Sequence, residues 1–164
     1  MQGTIVQINV SPGGLPKRSI PQGRIGTEGL VGDAHAHPQI HGGPRKAVLL
    51  IAAEVVDDLV RRGYAVFYGA LGENLTMRGL DVRSLRIGDR LRAGSATLEI
   101  TKIRVPCGQL DVYGGSLRDD LYDARVKAGD TGSPRWGLSG FYTSVVEAGA
   151  VAPGDIIAPV AQLA

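Results

Sequence analysis

Cys107 is the only cysteine in the chain and the residue with the most distinctive chemistry. It stands between Pro106 and Gly108, at the end of a β-patterned run. Because proline ends a strand ladder and glycine lets another group approach the backbone, we expect the thiol to be presented at a strand end. A thiolate there binds soft metals or carries sulfur, and Lys102 and Arg104 favour this deprotonated form if they lie near it. The alternative is an inert, buried cysteine that packs as a small hydrophobe.

A second candidate is the glycine-rich basic segment 32–48, which contains all the histidines of the chain. These histidines are His35, His37 and His41. Imidazoles so close together could bind zinc, but their spacing matches no structural zinc site. The other interpretation is a site for a phosphate-like anion, because successive backbone N–H groups and cationic side chains bind such groups. The residues of that anion site would be His41, Gly42, Gly43, Arg45 and Lys46.

A third candidate is the segment 69–76, which places an acid and an amide beside glycines. Glu73 accepts hydrogen bonds, and Asn74 both donates and accepts, which suits recognition of the edge of a nitrogen heterocycle. The alternative is a polar turn whose amide satisfies the local backbone. Neither this segment nor 32–48 has the spacing of a nucleotide-binding phosphate loop, and no nucleophile-elbow sequence supports serine hydrolase chemistry.

Length and composition limit the classes of protein to consider. With 164 residues, of which 43% are hydrophobic, the chain predicts one domain over 1–164 whose core needs no metal or disulfide to fold. A net charge of +2 is too small for the electrostatic footprint of a nucleic-acid binder. No segment has the apolar length of a membrane span or the pattern of a secretory leader. We therefore expect a cytoplasmic protein with no nucleic-acid or membrane partner.

Short β-patterned runs between glycine-marked turns must position these candidates. The runs are Thr4–Val10, Lys46–Ile51, Asp89–Ala93, Ala96–Val105 and Asp155–Ala158. Such spacing favours a barrel or a sandwich over a doubly wound sheet. In the fourth run the apolar positions change parity between Ile100 and Ile103. Because a period of two changes parity only through an extra residue or a kink, we expect a β-bulge near Thr101–Lys102.

Two amphipathic helices are also predicted. The first covers Ala53–Arg62 and stops at Gly63. The second begins at Ser116, whose hydroxyl would cap it, and ends at Gly129. Both are interpreted as covers of the core, and neither is assigned any chemistry.

An ordered set of short motifs resembles the MOSC domain, a family named for the C-terminal part of molybdenum cofactor sulfurases. The motifs are the segment 11–17, His37-Pro38, the segment 41–48, the segment 72–76, Ile87-Gly88-Asp89, Pro106-Cys107, Gly140-Phe141-Tyr142, Gly149 and Gly154-Asp155. No single motif is specific to this family, but the order and spacing of the set over nearly the whole chain are specific to it. The resemblance implies a mainly β fold, a MOSC-type β-barrel with a few peripheral α-helices.

The resemblance also implies a pocket for molybdenum cofactor (molybdopterin), an anionic pterin, with Cys107 at the position of the family's functional cysteine. In some relatives that cysteine ligates molybdenum, and in others it carries sulfur as a persulfide. Carried over by position, the residues lining the site would be Lys17, His41, Lys46, Glu73 and Asn74, beside Gly42, Gly43 and Arg45 of the anion-binding segment. Ser144 stands where an arginine is expected, so one anion contact is either lost or supplied by Arg104 or Arg135. The family is also associated with pyridoxal phosphate binding.

The function implied is that of a small molybdoenzyme that reduces N-hydroxylated compounds, with Cys107 as molybdenum ligand and catalytic thiolate. The alternative is a sulfur or cofactor carrier without turnover that uses a Cys107 persulfide. An electron-donor protein would be the partner in the first case and a sulfur-donor protein in the second. A plain structural domain would instead bury Cys107 among apolar side chains. In either functional case we expect its sulfur to face His41 or the Gly42–Gly43 backbone.

Overall fold

The computed structural model of the chain describes residues 1–34 and 42–161. The strands in this part of the chain are β1 (Gly3–Val10), β2 (Arg18–Ile20), β3 (Gly23–Gly26), β4 (Gly29–Leu30), β5 (Val48–Ala52), β6 (Leu75–Arg78), β7 (Arg90–Ala93), β8 (Ala96–Ile103), β9 (Phe141–Glu147), β10 (Gly149–Val151) and β11 (Ile156–Pro159). The α-helices are α1 (Ala53–Arg61), α2 (Leu117–Leu121) and α3 (Ala124–Lys127), and short 3₁₀ helices cover Pro44–Lys46, Val82–Ser84 and Gly108–Tyr113.

Within these described ranges, seven strands close into a barrel in the order β1, β11, β7, β8, β9, β5 and β6, with β6 returning to β1. Neighbouring strands are antiparallel except β5 and β6, which run parallel. Strand β2 pairs with the C-terminal half of β1, and β3, β4 and β10 form a separate small sheet. The expectation of a mainly β barrel with a few peripheral helices is confirmed.

The core fills the barrel with aliphatic side chains from alternate strand positions. Ile5, Ile8, Leu50, Leu91 and Leu98 have no exposed surface. Strand β5 is buried at every one of its positions, which is typical of a strand covered on both faces. Its predicted start at Lys46 is two residues early, because Lys46 instead ends a 3₁₀ turn. In that turn the Lys46 backbone N–H donates to the carbonyl of Gly43 at 3.0 Å.

The first predicted helix is confirmed as α1, which buries Val55, Val56 and Leu59 and ends one residue before the expected position. No helix within residues 1–34 and 42–161 combines the length and the apolar character that crossing a membrane requires.

The second predicted helix is wrong as a single element, because the segment forms two short helices, α2 and α3. Asp123 separates them: its carboxylate accepts a hydrogen bond from the Val126 backbone N–H at 2.8 Å and caps α3. The predicted Ser116 cap is also wrong, since its side chain makes no cap bond. Its hydroxyl lies 2.8 Å from that of Tyr64.

Strand β8 carries the predicted bulge, because its pairing with β9 shifts register between Ile100 and Lys102. The hydroxyl of the intervening Thr101 donates to the carbonyl of Arg45. After the strand ends, the Arg104 backbone N–H donates to the carbonyl of Gly140 at 2.9 Å, and the Arg104 carbonyl accepts from the Ser139 hydroxyl at 2.6 Å. The chain therefore leaves β8 tied to the segment that enters β9, and this tie positions Cys107.

Gly69 offers a test of how tightly the turn before β6 is packed. Its φ is +98°, and a Cβ there would collide with the carbonyl oxygen of Lys17, whereas Gly63 has φ +96° and its Cβ would meet no described atom within 4 Å. We expect Gly63→Ala to cost about 1 kcal/mol of unfolding free energy for the backbone conformation alone. Gly69→Ala should cost about 1–3 kcal/mol more because of the collision. Urea unfolding of both variants makes the comparison, and equal losses would contradict the packing described.

Candidate functional site

A pocket of about 50 Å³ lies beside the end of β8. The polar side chains around it are Lys17, Lys46, Asn74, Arg104, Cys107, Gln109 and Tyr142. All but Gln109 and Tyr142 were among the predicted site residues. The pocket thus collects five of those residues from segments that are far apart in sequence.

Cys107 is half-buried at this pocket and is a free thiol. Its backbone is extended, with φ −106° and ψ 169°, and it directly precedes the 3₁₀ helix Gly108–Tyr113. The carbonyl of Cys107 accepts a hydrogen bond from the Leu110 N–H at 3.1 Å, which holds the start of that helix. The thiol therefore borders a cavity. A plain structural domain would instead enclose the thiol in apolar core.

Arg104 brings a fully buried positive charge to the same pocket. Its side chain reaches back to the Leu71 carbonyl, which accepts from Nη2 at 2.8 Å, and the residue is only 4% exposed. Nε and Nη1 have no hydrogen-bond partner in the described structure. Burial lowers the pKa of Arg104, and the nearby Tyr142 and Cys107 oppose that change. Because leaving buried charged donors unpaired is costly, this guanidinium is suited to a ligand that accepts hydrogen bonds.

Lys17 has its charge compensated inside the protein. Its ammonium lies 2.6 Å from Oδ1 of Asp33, and both side chains are buried. The same Oδ1 accepts from the Ser11 N–H at 2.9 Å, and Oδ2 accepts from the Asn74 amide at 2.8 Å. Asp33 therefore joins two residues of the pocket wall, Lys17 and Asn74, to Ser11 after the end of β1. Sequence reasoning missed it, because one aspartate within a glycine-rich segment carries no local sign of its distant partners.

Asn74 lines the pocket, but its side-chain amide is hydrogen-bonded within the protein. Its Oδ1 accepts from the Leu49 N–H at 3.0 Å, and its Nδ2 donates to Asp33 and, at 3.3 Å, to the Asn9 carbonyl. These bonds hold β5, β1 and the turn before β6 together. The hydrogen bonds of Asn74 are those that the polar-turn interpretation predicts. Its position in the pocket lining agrees with the other interpretation, in which Asn74 is a site residue.

Glu73 is completely buried next to the pocket wall. Its Oε1 accepts from the Gly69 N–H at 2.7 Å and from the Thr76 hydroxyl at 3.1 Å, whereas Oε2 has no partner among the described residues. Burial raises the pKa of this carboxyl, and these hydrogen bonds together with Arg104 only partly oppose the rise. Glu73 thus shapes the turn that carries Asn74.

The buried carboxyl makes stability depend on pH. Because the folded pKa of Glu73 lies above its ordinary value of 4.5, the folded protein keeps a proton that the unfolded chain releases. Its contribution is therefore fully present below that value and is lost as pH rises through the folded pKa. We expect Glu73→Gln, which does not titrate, to gain thermal stability relative to the wild type between about pH 5 and pH 8. Melting curves of Glu73→Gln and the wild type across that range test this, and a difference that stays constant with pH would contradict it.

Lys46 and Tyr142 form the outer side of the pocket. The Lys46 ammonium lies 5.5 Å from the centroid of the Tyr142 ring. Partial burial lowers the pKa of Lys46, and the positive charge of Lys102 lowers it further. Burial raises the pKa of Tyr142, so its phenol stays protonated at neutral pH. The sequence points to Tyr142 only within the Gly140-Phe141-Tyr142 motif, and its place in that motif was the available signal for a site role.

The other predicted site residues lie elsewhere. Gly42 and Gly43 border a second cavity, of about 550 Å³, together with the segment 26–33. The Arg45 side chain is exposed, and its carbonyl is bound by Thr101. The expected contact of His41 with Cys107, and any zinc site of His35, His37 and His41, fall outside the described residues. Within the described ones, no three metal-binding side chains cluster together.

Comparisons with known proteins agree on one family. Residues 37–158 match the model of the MOSC domain. The chain is 34% identical over 130 residues to Uncharacterized protein YflK of Bacillus subtilis (strain 168), which is 77% of this chain and 53% of that protein. It is 29% identical over 112 residues to Protein YiiM of Escherichia coli (strain K12), which is 66% of this chain and 48% of that protein. The chain thus spans about half the length of these curated relatives.

Solved structures give the same fold. The crystal structure of YiiM from Geobacillus stearothermophilus superimposes with a TM-score of 0.70 at 26% identity and covers 98% of this chain and 76% of that one. The YUAD protein from Bacillus subtilis superimposes with a TM-score of 0.69 at 21% identity, covering 96% of this chain and 94% of that one.

Proposed function

Because this chain belongs to the MOSC domain family, we propose that its Cys107 pocket binds molybdenum cofactor and that the protein reduces N-hydroxylated compounds. The observation that carries the proposal is the half-buried thiol beside a buried arginine whose Nε and Nη1 have no hydrogen-bond partner among the described residues. A soft sulfur ligand and donors for an anionic group are what this cofactor requires. The residues present therefore fit the group.

When bound, the cofactor would supply the two-electron chemistry of molybdenum. Cys107 would hold the metal as a thiolate. Arg104 and Lys46 would offset negative charge at the bound group, while Lys17 is already balanced by Asp33. The overall reaction breaks an N–O bond, takes two electrons from a reduced electron-donor protein and two protons from solvent, and releases the amine and water.

The reductase assay decides the proposal against its alternative. Protein purified from cells that make the cofactor would be incubated with reduced methyl viologen and an amidoxime or N-hydroxylated purine. The proposal predicts loss of the N–O group in step with viologen oxidation. A Cys107 persulfide, released as thiocyanate by cyanide, without any reduction would favour the sulfur-carrier alternative. Molybdenum-containing protein with neither reductase activity nor a persulfide would contradict both the reductase and the sulfur-carrier assignments.

A charge substitution tests which basic side chain attracts the cofactor. Lys46 lines the pocket, whereas the adjacent Arg45 is exposed and lies outside the described lining. We expect Lys46→Gln to lower the retained molybdenum several-fold and to make that retention more sensitive to salt, because a pocket cation acts at short range. Arg45→Gln is the matched control and should change retention little. Metal content after washing at low and high salt makes the comparison, and equal effects of the two substitutions would contradict the assignment.

A further inference from the structure

Two exposed apolar side chains stand close to Cys107 along the chain. Val105 is 50% exposed and Val112 is 79% exposed. Val105 comes two residues before the thiol, and Val112 lies on the 3₁₀ helix Gly108–Tyr113 that begins directly after it. One exposed valine needs no explanation, but exposed apolar surface grouped near a functional pocket is typical of an interaction site.

The 3₁₀ helix that carries Val112 is held in one position. Its Leu110 has no exposed surface and anchors the helix in the core. Arg118 binds the carboxylate of Asp111 with both arms of its guanidinium, at 2.8 Å from Nε and 3.0 Å from Nη2. The positive charge of Arg118 is therefore offset by this carboxylate and by the nearby Asp119. Because the helix is already ordered, a partner that covers Val112 loses little affinity in ordering it.

Lys102 places a positive charge beside the pocket. It lies directly opposite Tyr142 in the pairing of β8 with β9, and side chains so paired point to the same face of a sheet. Its charge also contributes to the lowered pKa of Lys46, after partial burial. Since Lys46 and Tyr142 both line the pocket, the exposed Lys102 stands at its outer side.

Arg18 brings a second positive charge from another element. Its guanidinium carbon lies 5.1 Å from the centroid of the Phe67 ring, which keeps this exposed side chain in place. Burial and the charge of Glu73 raise the pKa of Tyr113, and the charge of Arg18 opposes that rise. Arg18 therefore lies near the end of the same 3₁₀ helix.

The charges of Arg18 and Lys102 are not offset by neighbouring carboxylates. Within residues 1–34 and 42–161, neither side chain forms an ion pair. Elsewhere on the barrel the pattern differs: Arg90 pairs at 2.8 Å with Glu99, which is on the same strand as Lys102. Exposed apolar residues among unbalanced cations have the composition of an interface that receives an acidic partner.

We propose that the surface formed by Arg18, Lys102, Val105 and Val112, called the mouth face below, docks a small acidic electron-carrier protein over Cys107. That the partner carries electrons rests on the proposed function, in which the reduction consumes two electrons from a donor protein. Two carriers that give one electron each supply them for every N–O bond broken, and the two protons come from solvent. Transient electron-transfer contacts bury little surface, so a small apolar centre among cations is enough.

Binding is measured with cofactor-free protein, so that the result does not depend on turnover. The probe is an acidic flavodoxin that is labelled for fluorescence anisotropy. We expect saturable binding whose affinity falls about tenfold when the salt concentration rises from about 50 mM to about 200 mM. Saturating flavodoxin should also slow the alkylation of Cys107, the only cysteine of the chain, by iodoacetamide, as followed by mass spectrometry.

Charge substitutions locate the docking surface. Val112→Asp and Arg18→Glu should each weaken flavodoxin binding about tenfold, because a negative charge then faces an acidic partner. Val31→Asp and Arg24→Glu are the matched controls: both residues are exposed and border a different cavity, and these variants should bind almost as the wild type does. Absence of salt-dependent binding, or equal losses in the two pairs of variants, would overturn the proposal.

Turnover separates this proposal from the proposed function. Reduced methyl viologen needs no docking surface, so Val112→Asp should keep wild-type turnover with viologen and lose most of its turnover with reduced flavodoxin. Flavodoxin-driven turnover that Val112→Asp leaves unchanged would overturn the docking surface alone. A wild type without viologen-driven turnover would overturn the reductase proposal, and the binding measurement would still decide whether the mouth face docks an acidic carrier.

Discussion

Replacing Cys107 by serine is expected to leave unfolding nearly unchanged and to abolish molybdenum retention, persulfide formation and reductase turnover together. The residue borders a cavity and is half-buried, so a hydroxyl in place of the thiol stays solvated. Serine is nearly isosteric, but its hydroxyl is neither soft nor ionised at neutral pH. Thermal unfolding, metal analysis and the viologen assay on the same preparation measure the effects.

Cys107→Ala separates the chemical role of the sulfur from its packing. If the thiol acts by ligation, both variants lose metal and both keep the wild-type melting temperature. A core cysteine behaves differently, since serine would then place a polar group in apolar surroundings at a cost of about 1–3 kcal/mol. A Cys107→Ser protein that unfolds easily yet keeps its molybdenum would show that the cysteine is structural.

Asp33→Asn is expected to have the largest effect on stability of the substitutions considered. The change removes the negative charge that balances the buried ammonium of Lys17 at 2.6 Å. The new side-chain amide also places an N–H against either the Asn74 amide or the Lys17 ammonium, both of which need an acceptor. Removing one partner of a buried ion pair costs about 3–5 kcal/mol, because the other charge stays buried and unbalanced. Urea unfolding at neutral pH measures the loss.

Two further variants show whether burial is the cause. Asp58→Asn removes a carboxylate from an exposed pair with Arg61 and should cost less than about 1 kcal/mol. Lys17→Met combined with Asp33→Asn removes both charges and should recover much of the stability that Asp33→Asn loses. Equal losses in Asp33→Asn and Asp58→Asn would mean that the Lys17–Asp33 pair does not organise the pocket.

Local patterns were enough to predict the parts of the fold that neighbouring residues determine. Helix α1 has its apolar face and its terminating Gly63 within one short segment, and it is found almost where expected. The β8 bulge follows from a parity change that only an extra residue resolves. Barrel strands β1 and β8 have the alternation that half-buried strands require, whereas β6 and β9 were not predicted. The order of the motifs supplied the fold class.

Elements that depend on distant partners were not predicted. Strands β2, β3 and β4 have two to four residues each, too few for a period to show. The break between α2 and α3 depends on Asp123, which also accepts hydrogen bonds from the Ser133 hydroxyl. Competition between a helix and such a cap is a tertiary effect that apolar periodicity does not reveal.

The residues of the candidate site also fall into two groups, those that the local sequence predicts and those that it does not. Cys107 carries its own signal, because its flanking proline and glycine mark a strand exit. Asp33 does not, since its role appears only when the fold brings Lys17 and Asn74 to it. Gly42 and Gly43 seemed suited to the pocket by composition, but these two glycines border another cavity. These cases differ in where the fold places each residue, and the residue type alone does not reveal that position.

The most direct test of the central claim is the molybdenum and pterin content of wild-type protein purified from cells that make the cofactor. Metal would be measured by mass spectrometry and pterin by fluorescence after oxidative release, both per mole of chain. The account predicts molybdenum and pterin in equal amounts in the wild type and neither in Cys107→Ser prepared alongside. Wild-type protein without either, or equal contents in the two proteins, would contradict the assignment of this pocket.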